Sequence, residues 1–190
     1  MSKLFFALWP DDQTRQELVQ LGQALQAAGI KPVQPQNLHV TLVFVGNVDS
    51  SAELLIKQSV AGIPAEPFEL TFDQLSYWSR PRILCLTCQQ PAKADCMDAG
   101  GRATHGAVAE SVTTLVAALD AAVASCGIQT DKRPYLPHIT LARHAGHLPD
   151  ITIKPVIWRA ESFCLVESCS EPDGVHYKVM QRWPFTTSVS

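Results

Sequence analysis

The chain has 190 residues, enough for one domain and short for two independent ones. Apolar residues make up 46% of it, sufficient for a real core, while charged residues, at 17%, sit below the roughly 25% of ordinary soluble domains. Fifteen Lys and Arg against 18 Asp and Glu leave a net charge of −3, which excludes a polybasic nucleic-acid arm or attachment to a membrane surface by bulk charge, so any nucleic-acid chemistry must come from a local site.

In chain order, Lys3–Trp9 is an aromatic apolar run closed by Pro10 and reads as a strand. With one positive charge, a short apolar run and no small-residue cleavage site, this opening does not read as a secretory signal, and the chain is expected to be cytoplasmic. Asp11 or Asp12 is the expected N-cap of a helix whose Leu18, Leu21, Leu25 and Ala28 share one face and which Gly29 ends. Lys31–Asn37, with two prolines, is loop. Leu38–Val45 is strand, stopped by Gly46-Asn47. Ser50 or Ser51 caps a short helix over Ala52–Ala61. Phe68–Trp78 is a strand or strand pair, Arg80-Pro81 a turn and Ile83–Thr87 another strand.

Gln89–Ser111, rich in Ala, Gly and small polar residues around Gly100-Gly101, is expected to be a long inserted loop. A helix then runs from Val112 to about Ser125, with Leu115, Leu119 and Val123 on one face and Gly127 as its stop. Gln129–Pro137 is loop and His138–Arg143 strand. Val156–Ser168 and Val175–Trp183 are two final strands around Glu171-Pro172-Asp173-Gly174. No apolar run approaches the roughly 18–20 residues of a membrane span. Six cysteines (Cys85, Cys88, Cys96, Cys126, Cys164 and Cys169) are expected to be free thiols, since a chain of this length buries enough surface without staples.

An internal repeat organises these elements. Strand Leu4–Trp9, helix, Gly29-Ile30, proline-containing loop and His39-Val40-Thr41-Leu42 are matched by strand Ile83–Thr87, helix, Gly127-Ile128, proline-containing loop and His138-Ile139-Thr140-Leu141. The two histidines stand 99 positions apart, about half the chain. The period is too long for a solenoid and predicts two β-α-β-like halves related by an approximate two-fold that brings the equivalent strands together.

Side chains alternate faces along a strand, so His39 and Thr41 project together while Val40 and Leu42 pack inward, and His138 and Thr140 do the same opposite Ile139 and Leu141. Two imidazoles and two hydroxyls would then line one cleft. An imidazole, with a reference pKa near 6.5, serves as base or acid at neutral pH. One neutral His can deprotonate an attacking water while one protonated His gives its proton to the leaving oxygen, and threonine hydroxyls can donate to phosphoryl oxygens as charge builds there. The set suits in-line displacement at phosphorus and requires no metal or other cofactor.

The paired His39-Val40-Thr41-Leu42 and His138-Ile139-Thr140-Leu141 resemble the two-histidine (2H) phosphoesterase superfamily, and within it the bacterial and archaeal RNA 2′,3′-cyclic phosphodiesterases, also called 2′-5′ RNA ligases or LigT-like proteins. Leu4-Phe5-Phe6-Ala7-Leu8, Asn37-Leu38-His39, Pro137 through Arg143, and Tyr177 through Trp183-Pro184-Phe185 extend the resemblance over nearly the whole chain. It implies a single bilobal α+β domain over residues 1–190, with two antiparallel sheets facing a central cleft and helices outside. It also implies metal-independent opening of a terminal 2′,3′-cyclic phosphate to a 2′-phosphomonoester. In that chemistry His39 is the proton donor to the departing 3′ oxygen, His138 the base, Thr41 and Thr140 ligands of phosphoryl oxygens, and Arg143 a contact to the phosphate or nucleotide. The stretch 89–111 departs from the family's shorter link and leaves both motifs intact.

The expected partner is an RNA with a 2′,3′-cyclic phosphate end, acted on by a monomer, with weak reverse ligase action. The alternatives are a small cyclic nucleotide, such as an ADP-ribose cyclic phosphate, and a catalytically silent nucleotide- or RNA-binding module. Cys85 and Cys88 with Cys96 and His105 do not read as a zinc site, because the first two fall on opposite faces of a strand. His144 and His147 read as solvated loop residues, and Gly100-Gly101 lacks the context of a phosphate loop. Phe5, Tyr77 and Trp78 are candidates to stack on a base.

Overall fold

The computed structural model describes residues 1–88, 105–131, 133–172 and 174–186. Strand β1 (Ser2–Leu8) turns Leu4, Phe6 and Leu8 to one side and Phe5 and Ala7 to the other, and both sides are buried. A strand apolar on both faces belongs at the centre of a sheet, and β1 lies between β2 (Val40–Val48) and β8 (Ser162–Glu171). After it, the Asp11 carboxylate accepts the Thr14 N–H at 2.7 Å and starts helix α1 (Asp12–Ala27). The helix ends in a Schellman turn: the Ile30 N–H donates to the Leu25 carbonyl and that of Gly29 to Gln26, with Gly29 at φ 78°.

Helix α2 (Ser50–Val60) is capped by Asp49, not by Ser50 or Ser51. The Asp49 carboxylate accepts both the Ala52 N–H and the Ser51 hydroxyl, two donors that a serine oxygen one position later could not gather. Strand β2 continues through Gly46-Asn47 to Val48. Gly46 takes φ 87° where the register against β1 slips between Leu4 and Phe5, so this glycine permits a bulge where an end was expected.

Phe68–Trp78 is a pair, β3 (Phe68–Phe72) and β4 (Gln74–Trp78), whose members enter different sheets. Likewise Val156–Ser168 is not one strand. It breaks at Glu161 into β7 (Val156–Ala160), which pairs with β3, and β8. Neither break carries a Gly or Pro, so both are invisible to turn chemistry. The remaining strands are β5 (Ile83–Thr87), β6 (His138–Arg143) and β9 (Gly174–Pro184). Helix α3 (His105–Ser125) begins within the stretch expected as loop, so residues 105–111 are helical, and 89–104 lie outside the described residues. Ala107 and Ala109 favour helix strongly while contributing no apolar period, which is why a periodicity reading starts the helix too late.

Among the described residues the α+β fold has two antiparallel sheets, divided as seven strands in the order β4-β5-β6-β2-β1-β8-β9 and two strands, β3-β7. The halves of the large sheet meet at β2 and β6 through the pair Val40–Ile139. These residues hold the same place in the two motifs, so the approximate two-fold runs through them. The register confirms the relation: Thr41 faces Ala7 and Val43 faces Phe6, leaving Leu42 extra, while Thr140 faces Cys85 and Ala142 faces Leu84, leaving Leu141 extra. Each half is bulged at its motif leucine.

Apolar residues of all three helices and of the small sheet pack with Leu4, Phe6, Val40 and Ile139 into one core. Phe5, Ala7, Cys164 and Val166 form a second, smaller cluster with Trp9, Tyr177 and Val179 on the other face. No helix among the described residues is long and apolar enough to cross a membrane.

Candidate active site

Val40 and Ile139 are fully buried in the main core, so His39, Thr41, His138 and Thr140 point to the opposite face. The strands are antiparallel at the seam, which sets His39 on the side of Thr140 and Thr41 on the side of His138. Sequence positions half a chain apart thus converge on one face.

Each imidazole is oriented in the same way. His39 Nδ1 donates to the Asn37 carbonyl at 2.7 Å, and His138 Nδ1 donates to the Leu136 carbonyl at 2.9 Å, two residues upstream in both cases. A carbonyl only accepts, so Nδ1 carries the hydrogen and the lone pair of the neutral ring is on Nε2. The Thr41 hydroxyl lies 3.0 Å from His39 Nε2 and donates to it in that form. Asn37 is itself held from β9, its side-chain amide donating to the Val175 carbonyl at 2.7 Å.

Aromatic rings surround His39: Phe5 at 5.1 Å between centroids, Tyr177 edge-on at 5.0 Å and Trp9 nearly parallel at 5.8 Å. Trp78 packs against His138 at 4.7 Å. Burial among these rings disfavours the imidazolium and lowers His39 to about 4, against the opposing pull of the Asn37 carbonyl; the charges of His138 and Arg143 lower it further. His138 is lowered by burial first and also by Arg143, while its own backbone carbonyl partner raises it. Arg143 stands at the end of β6, exposed, with its charge acting on both rings. Thr140 hydrogen-bonds the buried Cys85 thiol, which burial pushes up to about 12. The four motif side chains therefore share one face, and Arg143 acts on it from the strand's end.

A profile described as LigT like Phosphoesterase matches residues 8–85. The RNA 2′,3′-cyclic phosphodiesterase of Escherichia coli (strain K12) is 27% identical over 188 residues, covering 97% of each chain. The apo crystal structure of E. coli LigT superposes with a TM-score of 0.78 at 26% identity over 98% of both chains. Its complex with 3′-AMP superposes with a TM-score of 0.77 over 98% of this chain and 99% of that one. The likeness to LigT-like phosphoesterases thus runs over nearly the whole chain.

Several residues of this site carry no sequence signal. Trp9 and Tyr177 read only as rim or strand residues, yet they wall in His39. Tyr135, in the loop before β6, donates its hydroxyl to the Thr41 carbonyl at 3.1 Å. Burial raises its phenol, so it stays a donor. Of the stacking candidates, Phe5 is buried against His39, and Tyr77 is tied to the Ala145 carbonyl at 3.1 Å. Trp78 lines a groove of about 450 Å³ with Thr41, Phe44, Tyr135 and His138. Cys88 packs against the main core and Cys85 faces Thr140, on opposite sides of the strand; Cys96 and the His105 side chain lie outside the described residues. His144 and His147 are exposed beyond β6.

Both histidines are depressed, so the resting site is neutral at pH 7 and gains a proton only on acidification. The kcat/KM profile, which reports the free protein, is expected to be a bell with its maximum below pH 6.5 and a falling limb through pH 7–8. A profile flat to pH 9 would rule out an imidazolium acid. Stability follows the same shift: the unfolded chain takes up protons near pH 6.5 that the native rings refuse, so their contribution is present above that pH and is lost as pH falls toward 4.

Proposed function

We propose that this protein is an RNA 2′,3′-cyclic phosphodiesterase that opens a terminal cyclic phosphate to a 2′-phosphomonoester without a metal ion, with His39 as proton donor and His138 as general base. The observation that carries the reading is the matched pair of imidazoles, each with Nδ1 tied to a backbone carbonyl and Nε2 left for chemistry, on one face with two threonine hydroxyls. That face is complete within one chain, which supports action as a monomer.

The phosphodiester anion supplies what the resting site lacks. Its negative charge favours imidazolium nearby and offsets the burial that keeps His39 neutral, so the donor is loaded as substrate binds. Protonation of Nε2 ends its role as acceptor and frees the Thr41 hydroxyl to donate to a phosphoryl oxygen. His138 Nε2 takes a proton from water as the water oxygen attacks phosphorus. The bond from phosphorus to the 3′ oxygen breaks, and that oxygen takes the His39 proton. Thr140 and Arg143 stand where charge accumulates on the non-bridging oxygens. The reverse reaction joins ends through a 2′-5′ linkage and is expected to be weak in water.

The test is incubation with a nucleoside 2′,3′-cyclic phosphate in the presence of a chelator, with the product identified by phosphorus NMR. The 2′-monoester is expected at an undiminished rate. A 3′-monoester would reverse the regiochemistry, and turnover abolished by chelator and restored by a divalent ion would overturn the metal-free scheme.

A further inference from the structure

We propose that Arg80 and Arg82, at the tip of β4 and β5, form a phosphate track that leads an RNA chain away from the cleft at its Arg143 end. This deepens the proposed function and rests on it, because it makes the substrate an oligoribonucleotide end in preference to a free cyclic nucleotide.

Charge is the first observation. The chain is net acidic, yet segments 74–88 and 133–149 contain no Asp or Glu and hold Arg80, Arg82, Arg133 and Arg143 together with His138, His144 and His147. The sheet pairs these segments directly, Ile83 against Arg143 and Thr87 against His138. Arg133 is bonded to Asp131. Arg80, Arg82 and Arg143 are exposed and make no ion pair among the described residues.

Geometry is the second. Arg82 is held by carbonyls, which orient a guanidinium without neutralising it: Nε donates to Ala145 at 3.2 Å and Nη2 to His144 at 3.4 Å. Its own backbone is pinned from both sides, its N–H donating to the Trp78 carbonyl and its carbonyl accepting from Ala145. Arg82 at φ 66° and His144 at φ 59° are the two non-glycine residues in the left-handed region among the described residues, and they touch each other here. Such backbone strain persists only where the surroundings hold it, and binding sites are where it concentrates.

Continuity with the cleft is the third. Arg143 acts on both imidazoles and lies beside Ile83. Trp78, whose carbonyl holds the Arg82 turn, packs on His138 and offers a base platform between the reacting phosphate and the arginines. A cyclic mononucleotide has one phosphate, which Arg143 serves. Cations beyond it find a partner only if the nucleic acid continues.

The experiment is fluorescence anisotropy of a labelled single-stranded oligoribonucleotide of about eight nucleotides bearing a 3′-phosphate, a length within the range that single-strand grooves engage. Affinity is followed against salt for the wild type and the Arg80→Gln/Arg82→Gln variant. The variant is expected to bind about tenfold more weakly at low salt, with a log–log salt slope shallower by about 1.4, or about 0.7 for each phosphate no longer neutralised. Its turnover of a cyclic mononucleotide is expected to stay within about twofold of wild type, as neither arginine reaches the reacting phosphate. Should the loop not tolerate glutamine at Arg82, Arg80→Gln alone is expected to give about half the change in slope. Equal affinity and slope in wild type and variants would overturn the track, whatever the turnover. A wild type that binds the oligomer with the expected slope but hydrolyses no cyclic phosphate would support the track and sink the proposed reaction.

Discussion

Replacing His39 or His138 with alanine is expected to lower kcat on a 2′,3′-cyclic phosphate by at least about 10²-fold, the usual minimum for loss of a positioned acid or base. The two rings act on one displacement from opposite sides, so the double variant should fall little below the worse single one. That non-additivity separates a shared proton relay from two independent binding contacts, whose losses would multiply. The KM should change much less than kcat, because Arg143 and the threonines remain. Single variants that each keep near-full activity would defeat the assignment. His39→Ala and His138→Ala should also differ in the profile that survives: each removes a different limb of the bell, leaving the other ring's titration visible. Identical residual profiles would argue against distinct roles.

Trp158→Ala is expected to destabilise the protein by about 3–5 kcal/mol, the range for truncating a large buried aromatic. Trp158 heads the largest fully buried side chains, stands on β7 opposite Leu70 and packs on Phe72 at 6.3 Å. Its neighbours Leu70, Phe72, Val156 and Ala160 are themselves buried in the same core and held by the sheet pairing, so the void cannot close by a small shift. Urea unfolding should show a lower midpoint at unchanged slope. The folded fraction of this variant should retain wild-type kcat, since β3 and β7 belong to the core face and not to the histidine face. A loss under about 1 kcal/mol would mean that the site collapses around the gap.

The contrast between these predictions follows what the sequence does and does not carry. The His-x-Thr-Leu repeat was legible because a strand's period of two converts sequence spacing directly into a shared face, and because glycine-closed helices precede both copies in the same order. Asp11, Gly29 and Gly127 were legible for a related reason: caps act over three or four residues, within reach of a local reading. The displaced start of α3 and the Asp49 cap were errors of the same local kind, where alanine left no period and a carboxylate outcompeted a neighbouring serine for donors.

Other features depended on contacts between distant parts of the chain. Nothing near Asp73 or Glu161 says that β3 leaves β4, or β7 leaves β8, for another sheet. That choice is made by which apolar faces can be covered together. The stack of Trp9 on His39, the Tyr135 bond to the Thr41 carbonyl and the meeting of Arg82 with His144 are likewise invisible along the chain.

By itself, then, the sequence determined the chemistry available: two imidazoles, two hydroxyls and an arginine in repeated strand contexts, and a core rich enough to bury what lies behind them. Tertiary structure alone decided their working state. Only packing brings the aromatic rings that strip water from His39, and only the meeting of β2 and β6 at Val40–Ile139 sets one imidazole close enough to feel the charge of the other. Desolvation and Coulomb interaction depend on distance in space, which residue order does not encode.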